Sequence, residues 1–275
     1  MVTITKTMFT LFVFISVHHF SLYSFNPKKL INNLWQKKEQ EYIHKDLPLE
    51  DKSTIELCTL EGKITVKAWN QKKMIVEAEK EGTSEELKNT TIGIKTHTPS
   101  ESKTAHVTIT TRVIPDQKSA VVNYNLMIPE HCALTIQNGQ KGSVKIKHLQ
   151  GALDISLAEG DIEITDSTKA VTARTGKGTI KLKQKKFSEP SSIFLENGRG
   201  TIQLHLPRGI NATVHARTAS GVVTSEHAIT LHPQTVKLNK DTWEKMKREV
   251  DGSIGSDGAP ITLEATKGNI TIEEY

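Results

Sequence analysis

The sequence predicts an all-β fold, a β-solenoid or β-helix-like stack of glycine-turn repeats with one short helix near the C-terminus. Three observations predict it. From residue 53 onward apolar and polar residues alternate with period two, the pattern of strands with one buried face. A glycine recurs at one turn position in unit after unit. Through the centre of the chain these glycines return every 18 to 22 residues, a period of stacked β repeats.

Each unit has two alternating apolar residues, a four-residue turn closed by Gly, and two more alternating apolar residues. Ile55 and Leu57 lead through Gly62 to Ile64 and Val66; Leu153 and Ile155 lead through Gly160 to Ile162 and Ile164. The turn glycines are Gly62, Gly142, Gly160, Gly178, Gly200, Gly221 and Gly268, and the Gly142 copy has one extra turn residue. One unit cannot bury its apolar face alone; stacked units share a continuous core of Ile, Val and Leu. An aromatic content of 5% suits so narrow a core. The same unit also reads as a hairpin, so a β-sandwich is the alternative; the even spacing favours the stack. Residues 85–133 are less regular and read as longer strands of a flanking sheet.

Residues 1–25 read as a signal peptide or an N-terminal anchor. Lys6 precedes the apolar run Met8 to Val17, which is too short to span a bilayer as a helix. Residues 26–52 read as a Lys-rich linker, helical in part because Leu30, Ile31, Leu34 and Trp35 fall at helical spacing. Residues 53–275 form the repeat domain. Late in it, Asp241 and Glu244 suggest a capping box, with Trp243, Met246 and Val250 on one helical face and Gly252 ending the helix. Export would permit a disulfide, but Cys58 and Cys132 alone do not establish one.

The chain carries a formal charge of +5 and a pI near 9.0, which favours polyanions. No aromatic-basic interleaving points to nucleic acid. TGKGT (175–179) lacks the spacer of a phosphate loop, and GSIGSDG (252–258) is not a nucleophile elbow. No histidine pair has metal-ligand spacing, although His205 with His215 or His227 could meet across rungs; no cofactor is expected. Asp154, Asp161, Glu163 and Asp166 fall in one repeat and are the candidates for glycoside chemistry. The preferred binding candidate is a basic ridge of Arg174, Lys177, Arg199 and Arg217 in or beside equivalent turns, with Lys181 and Lys183 on a strand. The competing reading is that these charges solvate the surface and blunt edge pairing.

The chain resembles the bacterial putative adhesin family, repetitive β proteins of the cell envelope. EGKITVKAWNQKKMIVEAEK (61–80), YNLMIPEHCALTIQN (124–138), HLQGALDISLAEGDIEI (148–164) and VDGSIGSDGAPITLEATKGNITIEEY (250–275) carry the resemblance, in that order. It implies a β-solenoid-like domain on the outer side of a membrane, with no established catalytic residues. The expectation is a non-enzymatic, exported binding or structural module, placed in the periplasm, on the cell surface or in the medium. Its partner would be an envelope glycan, an anionic lipid or a protein, and it would touch the membrane only through an uncleaved N-terminus. The alternatives are a membrane-tethered envelope-stress or signalling accessory and a carbohydrate-active β-helix enzyme.

Overall fold

A strand whose Ile, Val and Leu all point one way must find a second apolar layer to cover them. The structure, a computed structural model describing residues 38–100, 104–187, 191–232 and 247–275, meets this need by winding the chain into two-stranded coils. It begins with β1 (Glu39–Pro48), β2 (Thr54–Thr59), β3 (Gly62–Trp69) and β4 (Lys73–Gly82). A short helix, α1 (Ser84–Asn89), leads into β5 (Thr90–His97), β6 (His106–Val113) and β7 (Val121–Pro129). The long strand β8 (Ala133–Lys147) forms a coil by itself. Next come β9 (Leu153–Glu159) with β10 (Ile162–Ser167), and β11 (Val171–Thr175) with β12 (Ile180–Gln184). They are followed by β13 (Ile193–Arg199) with β14 (Ile202–Leu206), and β15 (Ala212–Ser220) with β16 (Val223–Ser225). The chain closes with β17 (Ile229–Leu231), β18 (Glu249–Ile254), β19 (Ala259–Lys267) and β20 (Ile270–Glu274).

Each coil gives its first strand to one sheet, B, and its second to the other, A. Stacked coils pair in parallel and in register, so that Leu153, Val171 and Ile193 form one inward row and Ile162, Ile180 and Ile202 another. The two strands of a unit therefore lie in different sheets and bond to neighbouring units, which makes the fold a solenoid rather than a sandwich of hairpins. Between the sheets runs one core built from these rows. Antiparallel strands cover the ends: β1 on β4 and β4 on β7, β5 on β6, and at the far end β18 on β15 with β17 outside it.

The coils do not stack in chain order. The β2–β3 coil lies between β6–β7 and β8, and the last coil, β19–β20, lies between β13–β14 and β15–β16. The turn from β18 to β19 passes the start of β15, where Ser256 N donates to Asn211 Oδ1 at 3.0 Å. A Cβ on Gly258 would lie 2.3 Å from the Asn211 carbonyl oxygen, so the close passage accounts for a glycine in GSIGSDG.

The repeated glycines form the arches between the sheets. Gly178 has φ +149°, and a Cβ there would fall 2.0 Å from the Gly160 carbonyl oxygen of the preceding coil. Stacked arches thus approach too closely for a side chain. Beneath them a second row turns inward: Thr175 Oγ1 donates to Gly160 O at 3.0 Å, Asn197 Nδ2 to Gly178 O at 2.7 Å and Thr218 Oγ1 to Gly268 O at 2.8 Å. These bonds pair arch carbonyls that the strand ladders do not serve.

Three segments differ from the sequence expectation. Residues 39–48, read as linker, form β1, whose sparse apolar residues Ile43 and Leu47 pack on the core edge. The helix expected over 241–252 begins outside the described residues. Its last part is strand β18 instead: Val250 pairs with Ala216 and Gly252 with Val214, so pairing with β15 overrides the helical spacing. The irregular stretch 85–133 contains a genuine helix as well as strands. Thr83 and Glu86 form a reciprocal capping box at the start of α1, and the buried Lys80 ammonium donates to the Leu87 carbonyl near its end. The 1–25 segment lies outside the described residues. No described helix is long and apolar enough to cross a membrane.

Candidate functional site: two outward faces of opposite charge

Strand parity decides where the charged residues go. On sheet A the inward residues Ile64, Val144, Ile162 and Ile180 leave their neighbours facing out. From β3 to β14 that outer face carries six lysines: Lys63, Lys67, Lys145, Lys147, Lys181 and Lys183. Only Asp161 and Glu163 oppose them. Glu163 is engaged by Lys145 at 2.7 Å, and Asp161 accepts from Thr179 N at 2.7 Å. Lys67 and Lys147 are direct register partners. Lys183 Nζ lies 4.1 Å from the centroid of the Tyr275 ring. Lys63, Lys67, Lys147 and Lys181 have no ion-pair partner among the described residues.

Sheet B presents the reverse. From β2 to β18 its outer face carries Glu56, Asp154, Glu196, Glu264, Glu249 and Asp251 against Arg174 and Arg217. Arg174 stands between Asp154, at 3.6 Å, and Glu196, at 3.4 Å, and covers the Phe194 ring at 4.9 Å. Arg217 is in register with Glu264 and Glu249. Both arginines are therefore set among carboxylates.

The six ridge residues thus do not form one ridge. Arg174 and Arg217 face out from sheet B, Lys181 and Lys183 from sheet A, and only Lys177 and Arg199 lie on the arch edge. That edge consists of the residue before each arch glycine, and it includes Lys141 and Lys267, which the sequence reading missed. Lys267 is in register with Arg199, while Lys177 pairs with Glu159 at 3.1 Å. Position relative to the glycine was the signal that could have found Lys267.

The four carboxylates of the 153–166 repeat are dispersed. Asp154 faces out of sheet B, Asp161 braces an arch, Glu163 faces out of sheet A, and Asp166 sits where β10 turns back. His205 pairs with Glu273 at 3.1 Å, His215 faces out of sheet B opposite Asp251, and His227 is buried 3.9 Å from Glu274. Among the described residues no three potential ligands gather for a metal. Cys58 and Cys132 are both free thiols. Burial, with Asp51 adding to it, pushes the Cys132 thiol up to about 12.

Comparison with known proteins gives the fold a context. A crystal structure described as a putative cell adhesion protein from Clostridium sporogenes superposes with a TM-score of 0.50 at 14% identity, covering 86% of this chain and 100% of that one. Another, a putative adhesin from Bacteroides fragilis, has a TM-score of 0.42 and 11% identity over 86% of this chain and 97% of the other. At these identities the likeness is one of fold. No curated protein matches. The model of one family, Toastrack DUF4097, matches residues 37–273, nearly the whole described solenoid, and the chain belongs to that family.

Proposed function

We propose that this domain is a non-enzymatic binding module of the cell envelope, and that it holds an anionic polymer against the lysine face of sheet A. The observation that carries the reading is the segregation of charge: six lysines against two carboxylates across the β3–β14 strands of sheet A, six carboxylates against two arginines across the β2–β18 strands of sheet B. Lysines scattered only for solubility would be shared between the faces. Adjacent strands lie about 4.8 Å apart and alternate residues of a strand about 6.7 Å apart. The face is therefore a flat lattice of cations suited to a repeating anionic chain. The field ends on both sides, where β4 presents Glu77 and Glu79 and β20 presents Glu273. An adhesin-like, surface location is in keeping with the description of the Clostridium structure as a cell adhesion protein.

The test is titration of the chain with polyanions at two salt concentrations. Lys147→Glu with Lys181→Glu is expected to abolish binding without lowering the melting temperature. The matched change on sheet B, Arg174→Glu with Arg217→Glu, should leave binding in place. Equal loss from both pairs would mean that net charge alone is read and would remove the face from the proposal.

A further inference from the structure

At the end of the lysine face, where sheet A strands turn back toward sheet B, lies a crevice of about 280 Å³ lined by Glu130, His148, Gln150, Asp166, Lys185 and Lys186 together with the buried Thr168. That is near the lower end of small-molecule pockets, which begin at roughly 300 Å³. It has room for one sugar unit. Two strands of the lysine face, β8 and β12, lead to it: Lys147 immediately precedes His148, and Lys183 lies two residues before Lys185.

His148 and Asp166 occupy equivalent places in successive coils, and both adopt the left-handed conformation, at φ 62° and 61°. Residues other than glycine take that conformation at a cost, and such outliers collect at functional sites. Here it brings His148 Nδ1 to 2.9 Å from Asp166 Oδ2. Gln150 Nε2 donates to Glu130 Oε2 at 2.7 Å, so Glu130 is also held in place. Lys185 and Lys186 have no ion-pair partner among the described residues. Beside them Tyr275 is 43% exposed and its hydroxyl donates to the Gln184 carbonyl at 2.7 Å.

A site for phosphate alone would have no use for carboxylates. A site for a neutral sugar would have no use for two unpaired lysines. We propose that the crevice is a subsite for an acidic sugar, with hydroxyls donating to Asp166 and Glu130 and the sugar carboxylate meeting Lys185 and Lys186. The inference rests on the anionic-polymer reading above and narrows it to a carboxylate-bearing glycan. The lysine lattice supplies attraction along the chain, and the crevice supplies recognition of one unit.

The decisive measurement is calorimetric titration of the full chain with trigalacturonate, neutral trigalactose and tripolyphosphate. Trigalacturonate is expected to bind and trigalactose not to. Lys185→Ala with Lys186→Ala should weaken trigalacturonate about tenfold. Asp166→Asn separates recognition from charge, because asparagine tolerates the left-handed backbone. It should weaken trigalacturonate about fivefold, as a charged acceptor becomes neutral, yet strengthen tripolyphosphate. If Asp166→Asn strengthens both anions alike, the crevice contributes charge only and the inference is overturned. If tripolyphosphate binds through Lys147 and Lys181 while trigalacturonate does not bind, this inference falls and the lysine-face reading stands. If neither anion binds, both fall.

Discussion

Asn197 Nδ2 donates to the carbonyl of Gly178, 2.7 Å away in the preceding coil. The side chain is buried under the arch, at the position held by Thr175 and Thr218 in other coils. Asn197→Ala would leave that carbonyl without its donor in a water-poor site. The expected cost is about 1–3 kcal/mol, the penalty of an unmet buried polar group. Urea unfolding of the variant would measure it, and a midpoint equal to that of the parent would show that water replaces the amide.

The arches make a paired comparison with glycine at two places. Gly178→Val should fail to fold or melt far below the parent, since its Cβ would meet the Gly160 carbonyl oxygen at 2.0 Å in a backbone of φ +149°. Gly209 also has positive φ, +70°, but nothing lies within 4 Å of a Cβ there. Gly209→Ala should therefore cost only about 1 kcal/mol, the price of the conformation itself. Similar melting temperatures for the two variants would refute the stacking argument.

This contrast also shows what was legible in the sequence. Alternation around Leu153 and Ile155, and the glycine after them, are local signals, so strands, arches and core could be read off directly. The order of the coils could not. Ile55, Leu153 and Ile261 carry one and the same pattern, and nothing local says that the coil containing Ile261 lies between those containing Ile193 and Val214. The site was half legible for a related reason. Arg174 and Lys181 are close in sequence, but an arch separates them and parity sends them to opposite faces. Strand β1 was hidden because only Ile43 and Leu47 of its residues touch the core.

Acid should weaken the fold through His205. Burial lowers the pKa of its imidazole; Glu273 and Glu226 pull it back up, and Lys181 and Lys183 depress it further. The folded state thus prefers the neutral ring, and Nε2 is buried without a partner that a second proton could reach. An unfolded histidine titrates near 6.5. Because the folded value is lower, the unfolded chain takes up the proton first. This stabilising contribution is whole above about pH 6.5 and is lost as pH falls through the lower, folded value. His205→Gln should flatten the drop in the urea midpoint between pH 7.5 and pH 5. An unchanged slope would assign the drop to other groups.

The intercalated last coil makes stability at one end of the stack depend on residues far apart in sequence. Leu263 is fully buried in β19, in register with Leu195 on one side and Ala216 on the other. Leu263→Ala removes packing shared by both neighbours and should cost about 2–5 kcal/mol. The loss should be local, because solenoid coils are held mainly by their nearest neighbours. Trypsin should then reach Arg199, Arg208 and Arg217 early, while the lysines of β3, β8 and β12 stay protected. Mass spectrometry of the first fragments would decide this. Cleavage spread evenly along the chain would show that the stack opens as one cooperative unit and that the position of the last coil carries no special weight.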